Sequence, residues 1–256
     1  MRHYPSDLTN SRWQFIKNIV DNGRKRKYSM REIMNAILYL TKTGCQWRML
    51  PLHYPPWKSV YYYFNKWTKN GVLTTLHDFL VKNIRIKAGR NPEPSVGIID
   101  SQTAKASNLC QGNVGYDGGK KTKGRKRHIA VDTMGLILSI VIHSANIHDS
   151  QGVSDVLWRL KANYFHSIKK IIADGGYTGK ELALWARSTF GWLIEVVLRS
   201  EKSSFEVLPK RWIVERTFAW ISFQRRTSKD YERSTESSLA FIHLSMIRIM
   251  LNRIKN

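Results

Sequence analysis

An α/β architecture, a mixed β-sheet flanked by helices and preceded by a small all-helical unit, is what this sequence predicts. Two patterns lead there. Apolar residues recur at helical spacing through about the first 90 residues, and from about residue 95 short β-type runs alternate with helical ones. No internal repeat interrupts that order.

The helical signals are local. Ser29 followed by Glu32 makes a capping box, after which Ile33, Ala36, Ile37 and Leu40 fall at i, i+3, i+4 and i+7 until Gly44 offers a stop. Pro55 and Pro56 open a second stretch, WKSVYYYFNKWTKNG, with Val60, Phe64 and Trp67 as its inward stripe and Gly71 at its end. Lys58, Tyr62, Asn65, Lys66 and Lys69 occupy the opposite face. Those side chains suit phosphate and base-edge contact, as the second helix of a helix-turn-helix makes them, and equally suit the solvated face of a plain bundle.

The β and α alternation follows. PEPSVGIIDSQT predicts a short strand that Asp100 closes, and RKRHIAVDT and LILSIVIHSA read as a hairpin around the tight turn Thr133 to Gly135. SDVLWRLKANYF is helical, KKIIAD is a strand closed by Asp174, GKELALWARSTFG is a helix ended by Gly191, and WLIEVVLRS is a strand. A helix containing Glu215 comes next, then a last amphipathic helix from about Ser237 to Ile254.

Composition narrows the partner. Lys and Arg number 42 against 19 Asp and Glu, so the 256-residue chain carries a formal charge of +23. Such a chain repels itself and suits a polyanion whose counterions are released on binding, which makes nucleic acid the expected partner. The apolar stretch Leu136 to Ile142, broken by Ser139, falls far short of the roughly 18 residues a spanning helix needs, so no membrane role is expected. MRHYPSDLTN has no apolar core for a signal peptide, and a soluble intracellular protein is expected. Cys45 and Cys110 are too few for a disulfide framework, and both thiols are expected to be reduced.

Asp100, Asp174 and Glu215 are the candidate metal-binding acids. An acid at the end of the first strand, another after a later strand and a third on a helix can meet at one sheet edge, where hard oxygen ligands hold Mg²⁺ or Mn²⁺. Clustered carboxylates repel one another, so cations favour the arrangement, and two ions can drive an in-line displacement at phosphorus. Each acid alone also fits a turn or a surface ion pair.

The words themselves then point to a family. DSQTAKAS, GYDGGKKTKGRKRHIAVDTMGLILSIVIHSANIHD, ADGGYTG and RWIVERTFAWI with RRTSKDYE closely resemble the catalytic domain of bacterial insertion-sequence transposases of the DDE class. YPSDLTNSRWQFI and RKYSMREIMNAILYLTKTGCQWRMLPLHYPPWKSVYYYFNKW resemble the N-terminal domain of the same group. The resemblance implies an RNase H-like fold over residues 91–256, a helix-turn-helix-like DNA-binding domain over 1–90, and Asp100, Asp174 and Glu215 as the catalytic triad holding Mg²⁺ or Mn²⁺. It further implies a protein of the bacterial cytoplasm that acts at the nucleoid, on transposon ends and target DNA, as a homodimer or larger assembly. A DNA-binding repressor without catalysis and a metal-dependent nuclease without strand transfer remain the alternatives.

Relatives carry Tyr, two residues, Arg, three residues, Glu, six residues, Lys. Arg211 and Glu215 keep the middle, whereas Leu208 and Ser222 stand at the Tyr and Lys positions, and Arg225 or Arg226 is the expected substitute for the phosphate contact. The basic run KKTKGRKRH holds Lys120, Lys121, Lys123, Arg125, Lys126 and Arg127; it is expected to be a mobile loop that grips the DNA backbone. His143, His148 and Asp149 lack zinc spacing, and Asp149 is expected to cap the following helix.

Overall fold

The computed structural model describes residues 4–164, 166–177, 180–197 and 211–254. Four helices come first: α1 (Asn10–Val20), α2 (Met30–Thr43), α3 (Trp57–Lys69) and α4 (Val72–Lys87). Ser29 caps α2 by accepting the Arg31 N–H, and Gly44 ends it at φ 70, a left-handed conformation that a side chain would strain. The expected stripes point inward. Ile33, Ala36, Ile37 and Leu40 are fully buried, as are Val60 and Phe64, with Trp67 close behind. Lys58, Lys66 and Lys69 stand exposed on the outer face of α3.

Strands and helices then alternate as β1 (Val96–Lys105), β2 (Gly115–Asp117), β3 (Thr122–Val131), β4 (Ile137–Ser144), α5 (Asp149–Tyr164), β5 (Lys170–Asp174), α6 (Lys180–Phe190), β6 (Leu193–Val197), α7 (Arg211–Ser222) and α8 (Thr235–Arg253). The six strands form one mixed sheet in the order β2-β3-β1-β5-β6, with β4 also paired to β3. β3 is antiparallel to β1 and β4, while β5 runs parallel to β1 and to β6, the RNase H-like arrangement of an antiparallel meander followed by parallel crossovers. The hairpin turn forms where expected. Asp132 accepts the N–H groups of Met134 and Leu136 at 2.8 Å each, and Gly135 takes φ 79 against Thr217 and Trp220 of α7.

Three local expectations change. β1 does not end at Asp100; it continues in register with β3 from Asp100 opposite Ile129 to Lys105 opposite Gly124. The basic run is not a loop either: Thr122 to Arg127 lie in β3, and β2 pairs with its first residues. At α5 the cap comes from His148, whose Nδ1 accepts the Ser150 N–H at 3.3 Å, because Asp149 already sits in the first turn and pairs with Lys126. The part of the WLIEVVLRS strand beyond Val197, and Leu208, lie outside the described residues.

The helical region and the sheet share apolar packing. α8 lies against α4, α2 and α3 on one side and β4 on the other, so the last helix closes the core of the first four. Arg85 of α4 and Asp132 of the β3–β4 turn form a buried ion pair between the two regions. No helix among the described residues is long and apolar enough to cross a membrane.

Candidate active site

Parallel pairing brings two of the three acids together. Ile98 of β1 sits opposite Ile172 of β5 at the end of the paired stretch, and Asp100 and Asp174 each follow two residues later, near enough for the charge of one to act on the other. Successive side chains alternate across a sheet, so both carboxylates lie on the same face. α7, which carries Glu215, packs across β1, β3 and β5 on its Ile213, Val214, Thr217, Phe218 and Ile221 stripe. Its solvent side then presents Glu215 with half its surface open.

Arg211 stands between the acids. Its guanidinium is 3.0 Å from Glu215 Oε1, one turn along α7, and 4.0 Å from Asp174 Oδ2. Asp174 folds back on its own chain, with Oδ1 accepting the Gly176 N–H at 3.0 Å, while Asp100 Oδ1 accepts the Ser101 N–H at 2.7 Å. Lys120 adds positive charge at the mouth and donates to the Ser101 carbonyl at 3.3 Å. Among the described residues no three His, Cys, Asp or Glu side chains stand close enough to cage a metal ion. Asp100 and Asp174 lie two residues past the paired stretch of β1 and β5, and Glu215 is turned to Arg211.

Burial pushes the Asp100 carboxyl up to about 7, helped by the neighbouring charge of Asp174; the Ser101 N–H, Lys120 and Arg211 pull the other way. In the metal-free chain this couples to stability. Between the ordinary 3.8 and about 7 the folded carboxyl holds a proton that the unfolded one has released, so the contribution of Asp100 is fully present below 3.8 and lost as pH rises through 7. The melting temperature of metal-free protein should therefore fall more between pH 5 and 7.5 in the wild type than in Asp100→Asn. Parallel melting curves for the two proteins would show that Asp100 does not titrate in this range.

The other expected DNA contacts divide sharply. Lys121 and Lys123 are exposed beside Lys120, and Arg225 is exposed after α7. Arg125 and Arg127 are fully buried, and Lys126 nearly so. Arg125 donates to the carbonyls of Gln111, Gly112, Glu232, Arg233 and Ser234, and Arg127 to those of Thr227 and Lys229. Lys126 pairs with Asp149 at 2.8 Å and donates to the Ile147 carbonyl at 2.7 Å. None of the three offers a surface to a phosphate, because each guanidinium or ammonium is spent on internal acceptors. Arg226 is also committed, to Glu232 at 2.6 Å and over the ring of Phe241.

A largely buried polar group beneath Asp100 was not recognised as a unit in the sequence. Tyr177, His128 and His143 are joined by hydrogen bonds on the α5 face of the sheet, next to Ser101 and the Lys126–Asp149 pair. The one signal for it is alternation: His128 and Lys126 share a face of β3, which pairs with β1 through Ser101 and Thr103.

Such a sheet, with two acids level on adjacent parallel strands and a third on the helix that crosses them, defines a class. The chain belongs to the DDE transposases: the family described as "Transposase DDE domain" matches residues 91–250, from β1 into α8. The family described as "Putative transposase of IS4/5 family" matches residues 8–77 and covers α1 to α3. The chain is 28% identical over 140 residues to "Putative transposase for insertion sequence element IS402" of Burkholderia cepacia, a match over 52% of this chain and 65% of that one. It thus spans under two thirds of that relative. The Drosophila P element transposase strand transfer complex is a distant structural likeness, at 14% identity and TM-score 0.34 over 75% of this chain and 45% of that one. The Mos1 mariner paired end complex with Mn is another, at 10% identity and TM-score 0.33 over 95% and 83%.

Proposed function

We propose that the chain binds the terminal inverted repeats of its own insertion sequence, cleaves the phosphodiester bonds at the ends and joins the freed 3′-hydroxyls to target DNA. The observation that carries this reading is the Asp100–Asp174 pair, level on adjacent strands under the Glu215 helix of a chain with net charge +23.

The acids fit a hard divalent cation. Burial and Asp174 both resist ionisation of Asp100, a penalty that a bound cation offsets, and the donors are oxygens. Asp100, Asp174 and Glu215 would hold Mg²⁺ or Mn²⁺, two ions in all; when bound, these would activate the attacking oxygen and stabilise the leaving one. The chain's own residues do the rest. Arg211 holds Glu215 in place and positions positive charge beside the acids, where the transferring phosphate would lie. Lys120, Lys121 and Lys123 form a basic rim at the mouth, and Lys58, Lys66 and Lys69 on α3 supply contacts to the transposon end. Two ends must be joined in one event, so the active form is a dimer or larger on DNA.

Purified protein incubated with labelled end DNA, a target plasmid and Mg²⁺ tests this. Joined products that vanish on chelation support the transposase; cut but unjoined ends would make it a nuclease, and binding alone a repressor. For α3, Lys66→Ala combined with Lys69→Ala should weaken end binding and flatten its log–log salt slope by about 1 to 2 units, one for each phosphate that is no longer neutralised. An unchanged slope would take α3 out of the DNA interface.

A further inference from the structure

We propose that Tyr177 is a positioning residue for the acid pair, acting through a buried, one-way hydrogen-bond chain to His128 and His143 that pins the turn carrying Asp174. The inference rests on the proposed metal-dependent reaction and names side chains that this reading leaves without a role.

The direction of the chain follows from its far end. His143 Nδ1 lies 3.0 Å from the Ser144 carbonyl, which can only accept, so Nδ1 carries the proton and His143 Nε2 is left as an acceptor. His128 Nδ1, 3.0 Å away, must then donate to it, and His128 Nε2 becomes the acceptor. At 2.6 Å from that nitrogen, the Tyr177 hydroxyl donates. Burial drives the His128 imidazole down to about 3, which keeps that ring neutral in this arrangement.

Packing leaves the chain no slack. Tyr177 is 1% exposed and His128 wholly buried. Gly152 of α5 admits the two imidazoles: a Cβ there would lie 2.5 Å from His128 Nδ1 and 2.5 Å from His143 Nε2. Polar groups this deep cost free energy unless they are satisfied, and an apolar trio would fill the space without that demand. What the polar chain adds is direction. Tyr177 ends the four-residue turn that begins at Asp174, and within that turn Asp174 Oδ1 is held by the Gly176 N–H. A Cβ at Gly176 would sit 3.2 Å from the same oxygen. With β5 fixing one end of the turn and the His128 bond the other, Asp174 keeps Oδ2 on the side of Arg211 and Asp100. Without the hydroxyl bond the second anchor loses its orientation, and Asp174 can swing.

Mn²⁺ binding to metal-free protein, read by electron paramagnetic resonance without DNA, gives a measure independent of turnover. End cleavage against Mg²⁺ concentration gives the second, with folding followed by circular dichroism. Tyr177→Phe, which deletes one oxygen, should weaken Mn²⁺ binding and raise the Mg²⁺ needed for half-maximal cleavage by about 10-fold, the lower end of what outer hydrogen-bond partners of metal ligands contribute. KM for end DNA should not move. His128→Leu should match it, the double variant should lose no more than either alone, and His128→Gln, which keeps an acceptor for the hydroxyl, should recover most of the binding. A lower melting temperature with unchanged Mn²⁺ binding would mean that the chain only stabilises the fold, and would overturn the proposal. A wild type that neither binds Mn²⁺ nor cleaves ends would instead bring down the metal-dependent reading, and the positioning role with it.

Discussion

Asp100→Asn should reduce end cleavage and joining by at least about 10³-fold while leaving the fold and end binding intact. The size follows from what the carboxylate would do: metal-centred charge stabilisation is worth several kcal/mol, and each 1.36 kcal/mol is tenfold in rate. The neutral amide keeps the shape and the oxygen that accepts the Ser101 N–H, so the strand should hold. Burial already disfavours the Asp100 charge in the metal-free chain, so the variant should be no less stable near neutral pH. Cleavage rates on pre-bound ends separate the outcomes. A variant within tenfold of wild type would mean that Asp100 is not a reacting-centre residue, whereas a loss of binding in parallel would assign it to the DNA interface.

Arg125→Ala should destabilise the chain by about 4 kcal/mol, the scale for breaking a buried charged pairing, and lower the melting temperature by roughly 10 °C in a protein of this length. The guanidinium is wholly buried, 3.5 Å from Asp230, and donates to five backbone carbonyls from two loops. Removal strands those acceptors without water and opens a cavity. Arg125→Lys should recover little, since three donors on a flexible stem cannot reach the same planar fan of oxygens. Urea denaturation measures the effect. A loss under 1 kcal/mol would return Arg125 to the surface cations open to DNA.

Ile33 and Arg125 together show where sequence reasoning worked and where it stopped. For Ile33, Ala36, Ile37 and Leu40, period alone gave the buried face of α2, since burial of a helical stripe needs only a partner surface and not a particular one. The Asp132 to Gly135 turn was equally legible, because its hydrogen bonds span only a few residues. Asp100, Asp174 and Glu215 stood out by residue type and flanking words, and the register of β1 with β5 sets the first two side by side. KKTKGRKRH misled for a definite reason. Six cations in eight residues read as solvated when the acceptors that bury three of them are remote: Arg125 and Arg127 reach carbonyls roughly 100 residues away, at 227 to 234, and Lys126 reaches Ile147 and Asp149.

By itself, then, the chain determined its charge, the kind and order of most of its helices and strands, and the acids proposed for the chemistry, all properties set within a few residues. Tertiary structure alone decided that β1 runs on past Asp100 and that Arg125, Lys126 and Arg127 turn inward as structural cations. It also decided that α8 closes the core of the first four helices and that Tyr177 reaches His128 under the site. Each of those outcomes depends on a partner far along the chain, and the sign of a buried polar group's contribution is fixed only when that partner is in place.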